Sequence, residues 1–149
     1  MGDIRIENKK AFHDYEILER LEAGIVLKGS EVKSLREGRA NLKDAYAKVE
    51  NGEIFLHHFY IGEYPNSLEK HDPFRKKKLL LKKQEIRRLE RKVEEKGLTI
   101  IPLSVYFNEK GLAKVEIALA KGKKLFDKRR ALKEREIKRQ IERKLKNLR

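Results

Sequence analysis

The sequence has no cysteine and no tryptophan, and only one methionine and three prolines occur among its 149 residues. Without cysteine, the chain can form no disulfide framework, no thiol nucleophile and no cysteine-based zinc site. Disulfides are typical of oxidising compartments, so their absence fits a reducing one, and we expect a cytoplasmic protein.

Long apolar runs are missing as well. The first ten residues, MGDIRIENKK, lack the apolar core of a signal peptide. No apolar run approaches the length that is needed to cross a membrane. We therefore expect neither a secretory leader nor a membrane partner.

Positive charge is abundant, since 38 Lys and Arg stand against 24 Asp and Glu and give a formal net charge of +14. Such an excess favours a polyanionic partner. Nucleic acid is the commonest one, because basic side chains neutralise phosphates and release counterions. The alternative is a solvated basic surface that serves only solubility. Clustering of the charge favours nucleic acid.

Half of that net charge lies in residues 127–149, which carry eleven Lys and Arg against four acidic residues. The apolar residues Ile137, Ile141, Leu145 and Leu148 recur at steps of four, four and three, which predicts a cationic helix with one narrow apolar stripe. Such a stripe is too narrow to hold a core. We therefore interpret 1–126 as the folded domain and 127–149 as a basic arm for a partner.

The first third of the chain predicts short elements. Residues 8–14 predict a helix with Asn8 as its N-cap. The segment GIVLKG indicates the end of a buried strand, although the preceding ILERLEA is also compatible with a helix. Residues 30–37 predict a second short helix with Ser30 as its N-cap.

Two β-hairpins are the clearest local signals. AYAKVE, the dipeptide Asn51-Gly52 and EIFLHHFYI form the pattern of a hairpin with a type I′ turn. Alternation of apolar residues pairs 98–107 with 112–120 in a second hairpin, where Pro102 implies a bulge or an edge position.

Between the hairpins, residues 62–83 are predicted to be a long loop, because Pro65 and Pro73 mark turns. Loops of this length are often functional. The loop ends in the cationic run RKKK, which suits either plain solvation or, as we favour, contact with an RNA backbone. Residues 84–96 predict an amphipathic helix.

No catalytic constellation is present. His57 and His58 are strand neighbours whose side chains should leave on opposite faces, so they cannot chelate a metal together. His71 is expected to stabilise its turn. No glycine cluster builds a phosphate-binding loop. We predict that the protein is not an enzyme and that it needs no metal or cofactor.

Three aromatic residues are candidates for stacking on bases: Tyr46, Tyr106 and Phe126. For the two tyrosines, packing in the core is the favoured interpretation. Phe126 stands among Lys and Asp residues, so stacking and burial both remain open for it.

About five strands in antiparallel hairpins, with helices between and after them, predict a mainly β fold. The economical architecture is a closed antiparallel OB-like β-barrel with flanking short helices and a basic C-terminal tail, because closure removes exposed strand edges. Such barrels commonly bind nucleic acid on one face.

Three strings occur together and in order: LEAGIVLKGSEVKSLREGRANLKDAYAKV, HDPFRKKKLLLKKQEI and VEIALAKGKKLFDKRRALKERE. Together they resemble the small protein B family, the bacterial proteins that bind transfer-messenger RNA in trans-translation. The likeness runs from about Asn8 to Glu136. It implies an OB-like barrel with flanking helices and no catalytic activity.

The resemblance also implies partners. Members of the family bind the tRNA-like domain of transfer-messenger RNA and bring it, with elongation factor Tu, to ribosomes stalled on broken messages. Elongation factor Tu would thus meet this chain only indirectly, through the RNA. We expect the protein to be a monomer.

By motif, the family's RNA-binding positions fall on Asn8, Glu22, Leu80 and Lys114. Glu22 suits an RNA amino group or hydroxyl, and Leu80 suits a packing contact. Together with the cationic clusters, the predicted RNA-binding residues are Asn8, Glu22, Lys33, Arg36, Arg75, Lys76, Lys78, Leu80, Lys114, Lys121, Gly122, Lys123 and Lys124.

In the family, the tail is disordered in free solution and becomes helical in the empty mRNA channel of the stalled ribosome, beside the decoding centre. The position of Phe126 is often His or Tyr in relatives, so Phe126 keeps the stacking surface but loses the polar group. The predicted ribosome-binding residues of the tail are Phe126, Asp127, Lys128, Arg129, Lys133, Arg135, Arg139, Arg143 and Lys144.

Two hypotheses follow. The first is a non-catalytic adaptor, whose barrel holds transfer-messenger RNA and whose tail engages the ribosome. The second is a general ribosome-associated OB-fold RNA-binding protein, which would account for the charge and the barrel but not for the combined motifs.

Overall fold

The structure is a computed structural model, and it describes residues 4–65, 68, 70–123, 139–141 and 143. Its strands are β1 Arg5–Glu7, β2 Tyr15–Ile25, β3 Ala40–Asn41, β4 Tyr46–Glu50, β5 Glu53–His57, β6 Tyr60–Ile61, β7 Lys77–Leu80, β8 Thr99–Phe107 and β9 Ala113–Gly122, and its helices are α1 Ala11–Asp14, α2 Gly29–Arg36 and α3 Lys83–Lys96. Residues 139–141 and 143 are also helical. Every strand pairing in the described part is antiparallel. The mainly β prediction is confirmed.

Most strands belong to one sheet that closes on itself. Its order is β1-β8-β4-β5-β7-β2-β9, and β9 pairs again with β8, so that six strands form a ring. The pairing of β9 with β8 protects both from edge-to-edge association, because their backbone groups are already bonded. The short strands β3 and β6 form a separate pair.

The ring encloses the main core, which is built from the inward residues of its strands, such as Ile54 and Leu56 of β5 and Val115 of β9. The helix α3 adds Ile86 and Leu89 to this core. Burial of these side chains is the main favourable term in the folding of the chain. In the described residues, no helix is long and apolar enough to span a membrane.

A second, smaller core lies on the other side of β8 and β9. There, Ala11 of α1 packs with Ile101 and Leu103 of β8 and with Ala118 and Ala120 of β9. The two strands are therefore apolar on both faces over much of their length. The alternation of apolar residues in 98–107 and 112–120 predicts only one apolar face, which would point into the core.

The two predicted hairpins are confirmed, but the second strand of the first one ends at His57, and Tyr60–Ile61 forms the separate strand β6, which pairs with β3. Asn51 and Gly52 have φ values of 51° and 78°, which is the left-handed conformation that a type I′ turn needs at both central residues. In the second hairpin, the register shifts between Pro102 and Ser104, which confirms the bulge predicted at the proline.

Both predicted N-caps are wrong. The helix α1 begins only at Ala11, and Asn8 instead donates a hydrogen bond from Nδ2 to the Pro102 carbonyl at 2.9 Å. The helix α2 begins at Gly29, one residue before Ser30. Ser30 Oγ lies 2.8 Å from Nδ1 of the buried His71.

His71 does more than stabilise its own turn. Its Nε2 donates to the Ile61 carbonyl at 3.0 Å, because a carbonyl can only accept, and its Nδ1 is hydrogen-bonded to the Ser30 hydroxyl. The ring therefore connects α2 to β6.

One open alternative is decided and one prediction is corrected. The segment ILERLEA is part of the long strand β2, because it pairs with β9 over most of its length. The predicted loop 62–83 contains β7, which pairs with both β5 and β2. The strand count exceeds the predicted five because β1, β3, β6 and β7 have only two to four residues each, too few for a periodic pattern.

His57 and His58 do not point to opposite sides. His58 has a φ of 60°, which ends β5 and breaks the alternation of side chains. Both rings lie beside the half-exposed ring of Tyr46, with centroid distances of 5.2 and 5.6 Å. Among the described residues, no group of three or more metal-binding side chains is present.

Candidate nucleic-acid interface

A row of paired residues crosses five strands on one face of the sheet. Leu80 of β7 lies opposite Gly24 of β2, and Gly24 lies opposite Lys114 of β9. Lys114 lies opposite Tyr106 of β8, and Tyr106 lies opposite Arg5 of β1. Directly paired residues in antiparallel strands share a face of the sheet, so these five positions, which we call the outer row, face the same way.

The outer row faces away from the core. The strand neighbours Leu79, Val105 and Val115 point inward and are buried. Because side chains alternate along a strand, the outer row must point outward. Leu80 is accordingly 53% exposed, which is unusual for a leucine in a paired strand.

Glu22 lies beside the outer row on β2. It precedes Gly24 by two residues and therefore lies on the same face of the sheet. Its carboxylate accepts a hydrogen bond from the Tyr106 hydroxyl. The Arg5 guanidinium lies 4.6 Å from the centroid of the Tyr106 ring. Burial, and then the bond to Glu22, raise the pKa of Tyr106 to about 12, so the phenol remains a donor at neutral pH.

The prediction that the two tyrosines pack in the core is therefore wrong. Tyr106 is half-buried on the outer row, where its hydroxyl fixes one oxygen of Glu22. Tyr46 is 36% exposed beside the two histidine rings.

Three of the four motif-derived residues converge here. Glu22, Leu80 and Lys114 come from three different strands and meet around Gly24. They offer a carboxylate acceptor, an apolar surface and an ammonium donor side by side. Such a set can contact RNA groups of three kinds, namely amino or hydroxyl donors, a base or ribose face, and a phosphate.

Asn8 lies at a different place. It follows β1, and its backbone N–H donates to the Leu103 carbonyl at 2.9 Å. It lines a cavity of about 850 Å³ together with Lys9, Lys10 and Lys43. One N–H of its Nδ2 is bonded to the Pro102 carbonyl, so its side-chain oxygen and the second N–H are the groups left for a ligand.

Two predicted cations lie on the exposed side of α2. The Arg36 guanidinium lies 4.3 Å from the centroid of the Phe107 ring, one residue beyond Tyr106 on β8. The Lys33 ammonium lies 5.8 Å from the Tyr64 ring. These contacts hold the side chains near aromatic faces and leave the residues exposed.

The cationic run RKKK is not a uniform basic surface. Arg75 binds the fully buried Glu31 through two hydrogen bonds, of 2.5 and 3.2 Å. Burial opposes ionisation of Glu31, but the bonds from Arg75 and from the Lys28 N–H outweigh it and lower the pKa of the carboxyl. Arg75 therefore holds α2 against the start of β7.

The three lysines of the run alternate because they enter strand β7. Lys76 and Lys78 point outward and form ion pairs with Glu50 at 2.9 Å and with Glu53 at 3.2 Å. Lys77 points inward and is fully buried, and its Nζ donates to the Phe59 carbonyl at 2.6 Å. Burial lowers the pKa of Lys77 to about 8.

Lys121, Gly122 and Lys123 lie at the far end of β9, where Gly122 pairs with Tyr15. At about 3.4 Å per residue, Lys121 is roughly 24 Å along the strand from Lys114. The predicted residues therefore form separate groups. Lys124, Phe126, Asp127, Lys128, Arg129, Lys133, Arg135 and Lys144 lie outside the described residues, while Arg139 and Arg143 are helical and exposed.

The family model described as SmpB protein matches residues 5–147. The chain belongs to the SmpB family. This identification confirms the resemblance found in the sequence motifs, and it confirms that the chain is not an enzyme, because the family consists of RNA-binding proteins without catalytic activity.

Similar proteins cover nearly the whole chain. The SsrA-binding protein of Sulfurihydrogenibium sp. (strain YO3AOP1) is 62% identical over 140 residues, which are 93% of this chain and 91% of that protein. The SsrA-binding protein of Thermosipho melanesiensis is 61% identical over 135 residues, which are 90% and 92% of the two chains.

A solved SmpB-family structure is also similar. It is described as "tmRNA-SmpB: a journey to the center of the bacterial ribosome", and the chain that matches is 55% identical. The TM-score is 0.68, and the match covers 80% of this chain and 85% of that chain.

Sequence reasoning did not name Arg5 or Gly24 of this surface, and it considered Tyr106 for base stacking but favoured burial in the core. The alternation in the second hairpin could have indicated that Tyr106 faces outward, since Tyr106 lies between the inward residues Val105 and Phe107. For Arg5 and Gly24 there was no local signal, because their places depend on pairings with strands far away in the sequence.

Proposed function

We propose that this chain is an SsrA-binding protein, which binds transfer-messenger RNA and acts in trans-translation. The observation that carries this proposal is the family match over residues 5–147. Two relatives that are named SsrA-binding proteins support it, with identities of 62% and 61% over at least 90% of each chain.

The outer row and Glu22 form the RNA-binding face in this proposal. Lys114 and Arg5 contact phosphates, because their cationic groups neutralise the backbone charge. Glu22 accepts a hydrogen bond from an RNA amino or hydroxyl group, and Leu80 packs against a base or ribose. The tRNA-like domain of transfer-messenger RNA is the ligand of this face.

The other predicted residues extend the contact with RNA. Lys33 and Arg36 continue it along α2, and Asn8 continues it toward the cavity beside β1. The remaining members of the proposed set are Arg75, Lys76, Lys78, Lys121, Gly122, Lys123 and Lys124. Of these, Arg75 contributes to RNA binding mainly by holding α2 in place through its bond to Glu31.

We infer that the six-strand ring is an OB-like barrel, since such barrels are small closed antiparallel sheets that bind nucleic acid on one face. Residues 1–126 form this domain, and the chain acts as a monomer in the cytoplasm.

Residues 127–149 form the ribosome-binding part. We propose that the tail completes its helix only in the mRNA channel, where phosphate contacts offset the entropy of folding. Residues 139–141 and 143 are already helical in the free chain. Phe126 and the DKR segment lie at the decoding centre. Elongation factor Tu joins the complex through the RNA. The similar chain of the tmRNA-SmpB structure supports a role at the ribosome.

A binding comparison tests the function. The affinity of the chain for SsrA RNA is measured beside its affinity for ordinary tRNA and bulk RNA at one fixed salt concentration, since salt alters the electrostatic part of all three. We expect a clear preference for SsrA RNA. Equal affinities would favour the alternative, a general ribosome-associated OB-fold RNA-binding protein.

A further inference from the structure

Gly24 stands at the centre of the outer row, between Leu80 on one side and Lys114 on the other. Its φ does not lie in the left-handed region, unlike those of Gly38, Gly52 and Gly111. Backbone conformation therefore gives no reason for a glycine at this position. The glycine must therefore be explained by the little room that neighbouring residues leave for a side chain.

Leu80 limits the room beside Gly24. A Cβ built on Gly24 would lie 3.2 Å from Leu80 Cβ, 3.4 Å from its Cδ1 and 3.7 Å from its Cγ. Opposite Cβ atoms in antiparallel strands normally stand about 4.5–5.5 Å apart. The leucine side chain therefore leans toward β2 and packs closely against the place where a side chain at position 24 would stand.

This place is the middle of the proposed RNA-binding face. Along β2 it is next to Glu22, and across the strand pair it is next to Lys114. Half of the Leu80 surface remains exposed there. A leucine that stood upright on β7 would instead lie farther from both polar groups.

We propose that Gly24 is a positioning residue for RNA binding, because its missing side chain lets Leu80 lie between Glu22 and Lys114. The inference rests on the proposed function, in which these three side chains contact the RNA. Gly24 itself touches Leu80, and it acts on the RNA through that side chain.

The test compares five full-length proteins for their affinity to SsrA RNA at one salt concentration: wild type, Gly24→Ala, Leu80→Ala, the double variant and Gly29→Ala. We expect Gly24→Ala to weaken binding roughly five- to tenfold, as for the loss of one good interface contact. Gly29 is the matched control, since a Cβ there would meet nothing within 4 Å. Gly29→Ala should bind as the wild type does.

The double variant separates positioning from general damage. When the outer carbons of Leu80 are absent, they cannot be misplaced, so Gly24→Ala should add no further loss to Leu80→Ala. The inference would be overturned if Gly24→Ala bound like the wild type, or if it weakened Leu80→Ala by the same factor as it weakens the wild type.

A measurement on the wild-type protein avoids any dependence on folding of the variants. Nuclear Overhauser contacts from the Leu80 methyl groups to the Gly24 α-protons are expected in the free protein, and their absence would overturn the inference. Failure of the proposed function is distinguishable. In that case the methyl contacts would be present, but the wild-type protein would show no preference for SsrA RNA.

Discussion

The hydroxyl of Tyr106 donates a hydrogen bond to the carboxylate of Glu22, although 84 residues separate them in the sequence. Tyr106 lies on β8 and Glu22 on β2, so the bond passes over the strand β9 that pairs with both. One oxygen of Glu22 is thereby held in place, although the residue is exposed. The carboxylate of Glu22, beside the outer row, thus has its orientation fixed before any ligand binds.

Tyr106→Phe removes only the hydroxyl and so releases Glu22. We expect affinity for SsrA RNA to fall roughly three- to tenfold. A hydrogen bond to a charged group contributes about 1.5–3 kcal/mol, and without it part of the cost of ordering the Glu22 side chain must be met when the RNA binds. Binding is measured by titration of labelled RNA.

Tyr60→Phe is the matched control for Tyr106→Phe, since Tyr60 is a half-buried tyrosine that stands beside Phe74 on β6 and outside the outer row. It should leave affinity for SsrA RNA unchanged. Equal affinities of the Tyr106→Phe protein and the wild type would contradict a role for the bond.

Arg75→Ala removes the partner of a fully buried carboxylate. Because Glu31 then remains buried without its cation, we expect the free energy of unfolding to fall by about 2–4 kcal/mol, with the partial exposure of Arg75 taken into account. Urea unfolding at neutral pH measures the change.

Lys78→Ala is the control for Arg75→Ala. Lys78 and Glu53 form an exposed pair, and such pairs contribute less than about 1 kcal/mol. If the two variants lost similar amounts of stability, the pair of Arg75 and Glu31 would not hold α2 as we infer.

Particular residues show how far the sequence could predict this structure. Asn51-Gly52 and Pro102 were interpreted correctly, because a turn and a bulge depend on the conformations allowed to a few adjacent residues. Lys77 belongs to the run RKKK, and nothing in that run indicates that one lysine points inward. Its burial follows from the pairing of β7 with β5, which joins residues far apart in the chain.

The candidate site divides in the same way. Glu22, Leu80 and Lys114 were available from motif resemblance, but their convergence around Gly24 was not, because it depends on the register of three strands. A charge-based search would also have missed Gly24 and Leu80, which carry no charge at all. Contacts over long sequence separation are the part that local patterns cannot supply.

Because of Lys77, the stability of the folded protein should change with pH in the alkaline range. Its pKa in the folded protein is about 8, below the ordinary value of 10.5, so the unfolded chain binds the extra proton between these two values. Stability should therefore rise as the pH rises from about 8 to 10.5, by on the order of 3 kcal/mol at most. Below pH 8 the full cost of a buried charge is present.

Lys77→Met tests this dependence, because methionine cannot be charged. Urea unfolding of both proteins at several pH values should give a stability difference, wild type minus variant, that grows in favour of the wild type above pH 8. A difference that stayed constant over this range would show that Lys77 titrates alike in the folded and unfolded chains.

Termination of the chain after Phe126 separates the two proposed surfaces. The proposed RNA-binding face lies wholly before that residue, so affinity for SsrA RNA at physiological ionic strength should be nearly unchanged. The tail carries eleven Lys and Arg, so the low-salt affinity for any RNA should fall, because fewer phosphates are then neutralised. Peptide tagging on stalled ribosomes in a reconstituted translation system should be lost. A shortened protein that no longer bound SsrA RNA, or that still supported tagging, would contradict this division between the folded domain and the tail.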